Sequence, residues 1–219
     1  MISKTAITPE RLVLNTISNL VTQVVNLAVA FFMIPFFIRT LGKERYGIWI
    51  LIASIFAYRN TLNLGLNSAI NRYIPVFLAK NDRDSVQKVV SVSMLYLYST
   101  SIILAALTLV AYRYVEIWFS IPFDLIGVSK TLILIVGFCF VLIMPLQMYN
   151  GVLSGLQRYD IISIGTVIPI IIRTVVLILL LSRGYGLLTM GLVFGICEII
   201  IRIFQELVIL IAKNNFVVC

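Results

Sequence analysis

Four asparagines, Asn60, Asn63, Asn67 and Asn71, stand between Arg59 and Arg72 in a chain that is 61% hydrophobic. At about 100° per residue they fall within about 80° of one another, on one face of a helix. A second amide set, Asn15, Asn19, Gln23 and Asn26, repeats the pattern, with Ser18 and Thr22 beside it. An amide donates and accepts together, which matches the hydroxyls of a sugar; simple ions need no such two-way lining. Arg173 stands alone in "IPIIIRTVVLILL", and a guanidinium can grip phosphate or diphosphate in a bidentate fork. Glu198, Arg202 and Glu206 follow one another at steps of four, a spacing that permits a ladder of ion pairs along one helix.

The chemistry these residues can do is bounded by what is missing. The chain has no histidine. That excludes triads with a histidine base, HExxH metal sites and histidine proton relays. Cys139, Cys197 and Cys219 lie far apart, without metal-ligand spacing or a disulfide framework. "DRD" at 82–84 matches the short metal-binding motif of sugar-nucleotide transferases, but no acid/base constellation accompanies it, and it reads as a solvated loop. No P-loop or GxGxxG occurs. The residues predict neither an enzyme nor a cofactor nor a metal site.

The elements that position these groups must lie in lipid. Mean hydropathy is +1.07 and charged residues make up 12% of the chain, against about 25% in soluble domains. The apolar runs are long and continuous rather than alternating, which predicts an all-α membrane protein rather than a barrel. The net charge of +8 carries no nucleic-acid signal, because basic residues of membrane proteins gather at helix ends and face anionic headgroups. The first apolar run is too long for a cleavable signal and should remain as a span.

Six spans are expected, over residues 12–38, 46–79, 89–112, 126–153, 161–181 and 187–212, forming a single bundle over 1–219. The second is the unusual one. The apolar run after Tyr46 reaches only about 18 Å, short of a core of about 30 Å, so the span must continue through the asparagines to Ala79. It is then either one very long helix or a helix broken near Gly65, and the long helix is the favoured reading. Residues 80–88 read as a hydrophilic loop and "RYVEIWFSIPFD" as a turn with interfacial aromatics. Pro35, Pro75, Pro145 and Pro169 fall within or near spans and should bend them.

Six spans put both termini on one side, but charge does not choose the side. With a cytoplasmic N-terminus the inner loops hold seven basic residues (Lys4, Arg11, Lys80, Arg83, Lys88, Arg158, Lys213) against six outside (Arg39, Lys43, Arg45, Arg113, Lys130, Arg183).

Amide faces cannot look at lipid, where each unsatisfied amide costs several kcal/mol. Interhelical glue is one use for them, at about 0.6–2 kcal/mol per bond. The other is the wall of a wet cavity. Eight amides running nearly the full length of two helices favour the cavity. Arg59 and Arg173 lie deep in their spans and should face the interior, which then reads as net basic. Glu198 and Arg202 read either as a self-compensated pair or as a gate or ion-coupling site.

"PFFIRTLGKERYGIW" (35–49), "LGLNSAINRYI" (64–74) and "GLQRYD" (155–160) resemble the polysaccharide transporter family, the O-antigen and capsule flippases of bacteria. That family lies within the superfamily of multidrug, oligosaccharidyl-lipid and polysaccharide exporters. With the spacing of the spans, the resemblance covers essentially the whole chain. It implies one lobe of a two-lobed exporter fold, the N-terminal half, built around a central cleft. It implies transport of an undecaprenyl-diphosphate-linked oligosaccharide across the bacterial inner (plasma) membrane for lipopolysaccharide or capsule synthesis, with cytoplasmic termini. The partners implied are membrane lipids, the lipid-linked oligosaccharide and a second lobe, from a separate C-terminal half or a second copy. The cleft-lining residues would be Arg59, Asn60, Asn63, Asn67, Asn71, Arg72, Arg173, Asn15, Asn19, Gln23 and Asn26. The chain departs from the family in carrying one bundle where members carry two, which reads as a truncated product more readily than as a dimer. Competing readings are a drug or lipid II exporter of the same superfamily, a non-transporting membrane remnant and, last, a membrane-bound glycosyltransferase.

Overall fold

The computed structural model describes residues 9–57, 65–119, 121–155 and 159–216. Among them are seven α-helices and one 3-10 turn, with no strand. They are α1 (Pro9–Leu41), α2 (Lys43–Ala57), α3 (Leu66–Ala79), α4 (Arg83–Trp118), the 3-10 turn Phe123–Leu125, α5 (Ile126–Gly155), α6 (Tyr159–Ser182) and α7 (Leu187–Phe216). Five stretches are long and apolar enough to cross a membrane: Val13–Leu41, Arg83–Trp118, Phe123–Gly155, Ile161–Ser182 and Leu187–Leu207. The four spans expected beyond the second each fall on one helix, and all four prolines lie inside helices. Span three extends well past its expected limits, because "RDSVQK" and "RYVEIW" continue α4 at its two ends.

The favoured single long helix over 46–79 is not what forms. The described part of α2 covers 15 residues, about 22 Å. Gly65 then takes φ 78°, in the left-handed region, and stands as N-cap of α3. A residue in that conformation breaks the right-handed ladder, and glycine adopts it without the Cβ penalty. α3 therefore starts afresh, its Ile70 and Ile74 buried and Arg72 and Tyr73 turned outward. Gly42 does the same work between α1 and α2, with φ 85° and its N–H bonded to the Ile38 carbonyl at 3.1 Å.

Two apolar clusters hold the bundle. The larger joins Met33, Phe37 and Leu41 of α1 to Ile48, Ile52 and Phe56 of α2, Leu104 and Val115 of α4, Leu132, Ile133 and Met144 of α5, Leu177 of α6 and Met190 of α7. The smaller joins Ile70 and Ile74 of α3 to Leu97 and Met148. Polar groups inside are tied back to carbonyls. Ser101 of α4 donates to the Val141 carbonyl of α5 at 2.7 Å, and Thr108 to Leu104 at 2.8 Å.

An aromatic belt marks one membrane boundary. Tyr112, Tyr114 and Trp118 are exposed, Tyr114 stacks on Trp118 at 5.9 Å, and Lys130 pairs with Glu116 at 3.1 Å while standing over the Tyr112 ring. About 20 residues at about 1.5 Å each cross a hydrocarbon core of about 30 Å. Counting back from Trp118 puts the far boundary near Tyr98, and counting on from Leu125 puts it near Pro145. The smaller cluster, with Leu97 and Met148, therefore lies at that far boundary. The first turns of α4, with α3 packed on them, project beyond it.

Candidate functional site

The same ruler places the α1 amides. Counting back from Leu41, which lies with Asp124 and Leu125 at the belt side, the far boundary falls near Val21. Asn15 and Asn19 thus lie at or beyond it, and Gln23 and Asn26 just inside. The amide face occupies the first half of α1 rather than nearly its full length, so it lines one end of the molecule. Asn15 is half-buried, while Asn19, Gln23 and Asn26 are exposed. The half-buried stripe on α1 is Ser18, Thr22, Val25 and Val29, beside the amides rather than on them. Asn26 donates to the Thr22 carbonyl and Thr22 to the Ser18 carbonyl, both at 2.9 Å. α1 itself packs on α6 and α2.

Arg59, Asn60 and Asn63 lie outside the described residues. Asn67 is exposed at the start of α3. Asn71 is half-buried and bonds across to α5, where Ser154 Oγ donates to its Oδ1 at 2.6 Å. The backbones approach closely there, because a Cβ on Gly155 would lie 3.3 Å from the Asn71 Cα. Arg72 is exposed, its guanidinium 5.8 Å from the Tyr73 ring centre.

The deep charges are arranged differently from the expectation. Arg173 of α6 pairs with Glu198 of α7 at 3.5 Å, with side-chain exposures of 14% and 25%. Its guanidinium also lies 4.2 Å from the Phe194 ring centre, and Phe194 in turn packs on Trp49 of α2 at 4.8 Å. Arg173 is nine residues before Ser182, about 14 Å from the belt boundary and so near the midplane. The reading of a net basic interior needs correcting here, because Glu198 balances the Arg173 charge. Glu198 makes this ion pair with the neighbouring helix rather than with Arg202 one turn along its own. The cause is geometric: α6 and α7 pack side by side, and a shared interface brings the two groups together as well as a helical turn would.

Arg202 donates instead to Gln205, Nη1 to Oε1 at 3.0 Å. Gln205 is 0% exposed and was not among the expected site residues. Its signal was present, as a polar residue three positions after Arg202 on the same face. Phe194 was missed as well, and nothing in its neighbourhood of sequence marks an aromatic that faces a charge. Among the described residues no group of three acidic, cysteine or histidine side chains could hold a metal ion. The arrangement offers hydrogen-bonding amides at one end, a compensated charge pair at mid-depth and a buried arginine–glutamine pair beyond it.

These spans and this interior polarity define a multi-pass membrane protein of the transporter kind. The profile of the MatE family matches residues 16–179, three-quarters of the chain, and the chain belongs to that family. The family falls in the exporter superfamily expected above and is typically not enzymatic. No curated protein and no solved structure matches the chain.

Proposed function

We propose that this chain is one lobe of a flippase that moves an undecaprenyl-diphosphate-linked oligosaccharide across the bacterial inner membrane for O-antigen or capsule synthesis. The observation that carries the reading is the exposed amide face of α1. Asn19, Gln23 and Asn26 stand outward on a helix whose other exposed side chains include Leu14, Leu20, Val24 and Leu27. Gln23 and Asn26, inside the boundary, would each cost several kcal/mol if turned to lipid tails; turned to a wet cleft that carries a glycan, they and Asn19 are satisfied by hydroxyls and water. Asn67 and Asn71 on α3 and Asn15 on α1 extend this lining; Asn60 and Asn63, which belong to the same amide set in sequence, lie outside the described residues. Arg59 and Arg72 draw the diphosphate toward it, and Arg173 joins them when Glu198 releases it. Glu198, tied to Arg173, is the group that a proton or cation would release, which makes it the gate. The three sequence blocks of the resemblance supply the glycolipid class, the membrane and the cytoplasmic termini. A second lobe closes the cleft.

The test is complementation of a strain lacking its O-antigen flippase, with this chain expressed alone and with a second six-span lobe. Restored surface polysaccharide that is lost when Asn19, Gln23 and Asn26 are all changed to Leu supports the reading. No restoration in either arrangement overturns it. One observation favours a second reading, a drug exporter of the same superfamily: with Arg173 balanced by Glu198, the mid-depth interior does not repel a cation. Resistance to cationic drugs without polysaccharide rescue would select it.

A further inference from the structure

Glu198, Arg202 and Gln205 fall on one face of α7, opposite its exposed apolar side chains Ile196, Ile200, Ile203 and Leu207. That face looks into the bundle, toward α5 and α6. The Arg202 Nε and Gln205 Nε2 are both sealed from solvent, and neither finds a hydrogen-bond acceptor among the described residues. Both orphans are donors. The Gln205 acceptor, Oε1, is already used by Arg202 Nη1, so the amide's orientation is fixed with its NH₂ free. Two buried donors without an acceptor are costly, at about 1–3 kcal/mol each, and a native membrane interior does not leave them so without a use.

Charge gives the sign of what is missing. Both missing partners are acceptors, and the positive charge of Arg202 favours an anionic one, although Glu198, one turn away and tied to Arg173, offsets part of that charge. We propose that Arg202 and Gln205 form an anion site whose ligand is an oxyanion of the phosphate or diphosphate class, accepting from Arg202 Nε and Gln205 Nε2. Arg202 as a residue is half-buried, but its Nε and the Gln205 Nε2 are sealed, so the ligand reaches them once neighbouring side chains move aside. Gly165 of α6 lets α7 pack closely beside this pair; a Cβ there would press on the Phe204 ring at 3.1 Å, with the Gln205 Cγ in ordinary contact at 4.0 Å. The diphosphate as physiological ligand rests on the glycolipid reading above, whereas the site itself rests on the two orphan donors. The proposal moves Arg202 from gating to recognition.

The experiment titrates the purified full chain in detergent with inorganic pyrophosphate at low salt, by calorimetry. Gln205→Glu places a carboxylate where the amide was, beside Arg202, and so supplies the acceptor from within. It is expected to weaken pyrophosphate binding at least tenfold while raising the melting temperature. Arg202→Lys keeps the charge and removes the fork, and is expected to weaken binding severalfold with the fold intact. Arg183→Gln, in the exposed turn before α7, removes a charge remote from the site and should bind as wild type does. Wild-type affinity in both Gln205→Glu and Arg202→Lys overturns the proposal, as does a wild-type chain that binds no pyrophosphate. The two readings separate cleanly. Pyrophosphate binding through Arg202 without polysaccharide rescue would refute the glycolipid function and keep the site. Rescue that is indifferent to both variants would do the reverse.

Discussion

Arg173 and Glu198 meet across the α6–α7 interface at 3.5 Å, near the middle of the membrane, with Phe194 against the guanidinium. Neither group would be tolerated there alone. Removing one partner leaves the other charge in a poorly solvated site, whereas removing both leaves two amides that can bond each other. Arg173→Gln and Glu198→Gln are each expected to cost on the order of 2–4 kcal/mol, and the double substitution less than either single one. A double-mutant cycle by thermal or chemical unfolding in detergent measures this. Additive costs would show that the pair is not coupled.

How much of this was legible beforehand differs by level. The membrane class, the helical fold and most span positions follow from long apolar runs, whose meaning does not depend on tertiary context. Pairing does depend on it. Arg173 and Glu198 are 25 residues apart, and no local spacing joins them. Helical periodicity instead favoured Glu198–Arg202, a partner one turn away, because that is the neighbour a single helix can show. The Asn71–Ser154 bond is similar, with 83 residues between its ends. The break at Gly65 was visible as an alternative. Glycine permits the left-handed turn but does not require it, while the apolar length that a span needs argues for continuity. The location of the α1 amides at one end became visible only once the belt on α4 had fixed a boundary.

Gly65 offers a direct check on that break. At φ 78° an alanine incurs the left-handed penalty, about 1–2 kcal/mol, and among the described residues nothing lies within 4 Å of the Cβ position to compensate. Gly65→Ala is expected to destabilise the chain by that amount. Gly65→Asn, which tolerates the conformation better, should cost less. If alanine proved stabilising, a continuous helix through residue 65 would be the better description.

Glycines also set the spacing of α7 on α5. A Cβ on Gly191 would collide with the Leu132 side chain, and one on Gly195 with Cys139. Gly195→Ala is expected to cost about 1–3 kcal/mol by overpacking, and Cys139→Ala in the same chain should recover part of it by removing the sulfur, while the Cβ of residue 139, at 2.9 Å, keeps the rest. Melting temperatures of the two single variants and the double variant decide this. No recovery would mean that the helices shift apart rather than clash at that sulfur.

Where α3 meets α5, Ser154 Oγ donates to Asn71 at 2.6 Å and lies 3.0 Å from the Gly151 carbonyl. Ser154→Ala removes the hydroxyl that bridges the contact and leaves the Asn71 oxygen to find another donor. The expected loss is about 0.6–2 kcal/mol, the range of interhelical hydrogen bonds in membranes. Asn71→Leu should cost a similar amount if the amide serves packing alone. A larger effect on transport than on stability would show that Asn71 also meets the substrate.

Asp82 ties the α3–α4 turn through its carboxylate. It accepts from the Ser85 hydroxyl at 2.6 Å and the Ser85 N–H at 3.0 Å, capping α4, while Asn81 before it takes φ 54°. Those two bonds, first the hydroxyl and then the backbone one, hold the carboxyl below its usual value of 3.8, with Lys88 and Lys80 adding to the effect. A depressed folded value means that the cap's contribution is fully present above the unfolded carboxylate value and is lost as pH falls through the folded one. The protection of the Ser85 and Val86 amides against exchange, measured relative to their intrinsic rates at each pH, should therefore persist at neutral pH and be lost only below about 3.8. Asp82→Ala should lack that protection at every pH. Fraying of the wild-type turn that begins well above that value would mean that a group other than Asp82 holds the first turn of α4 in place.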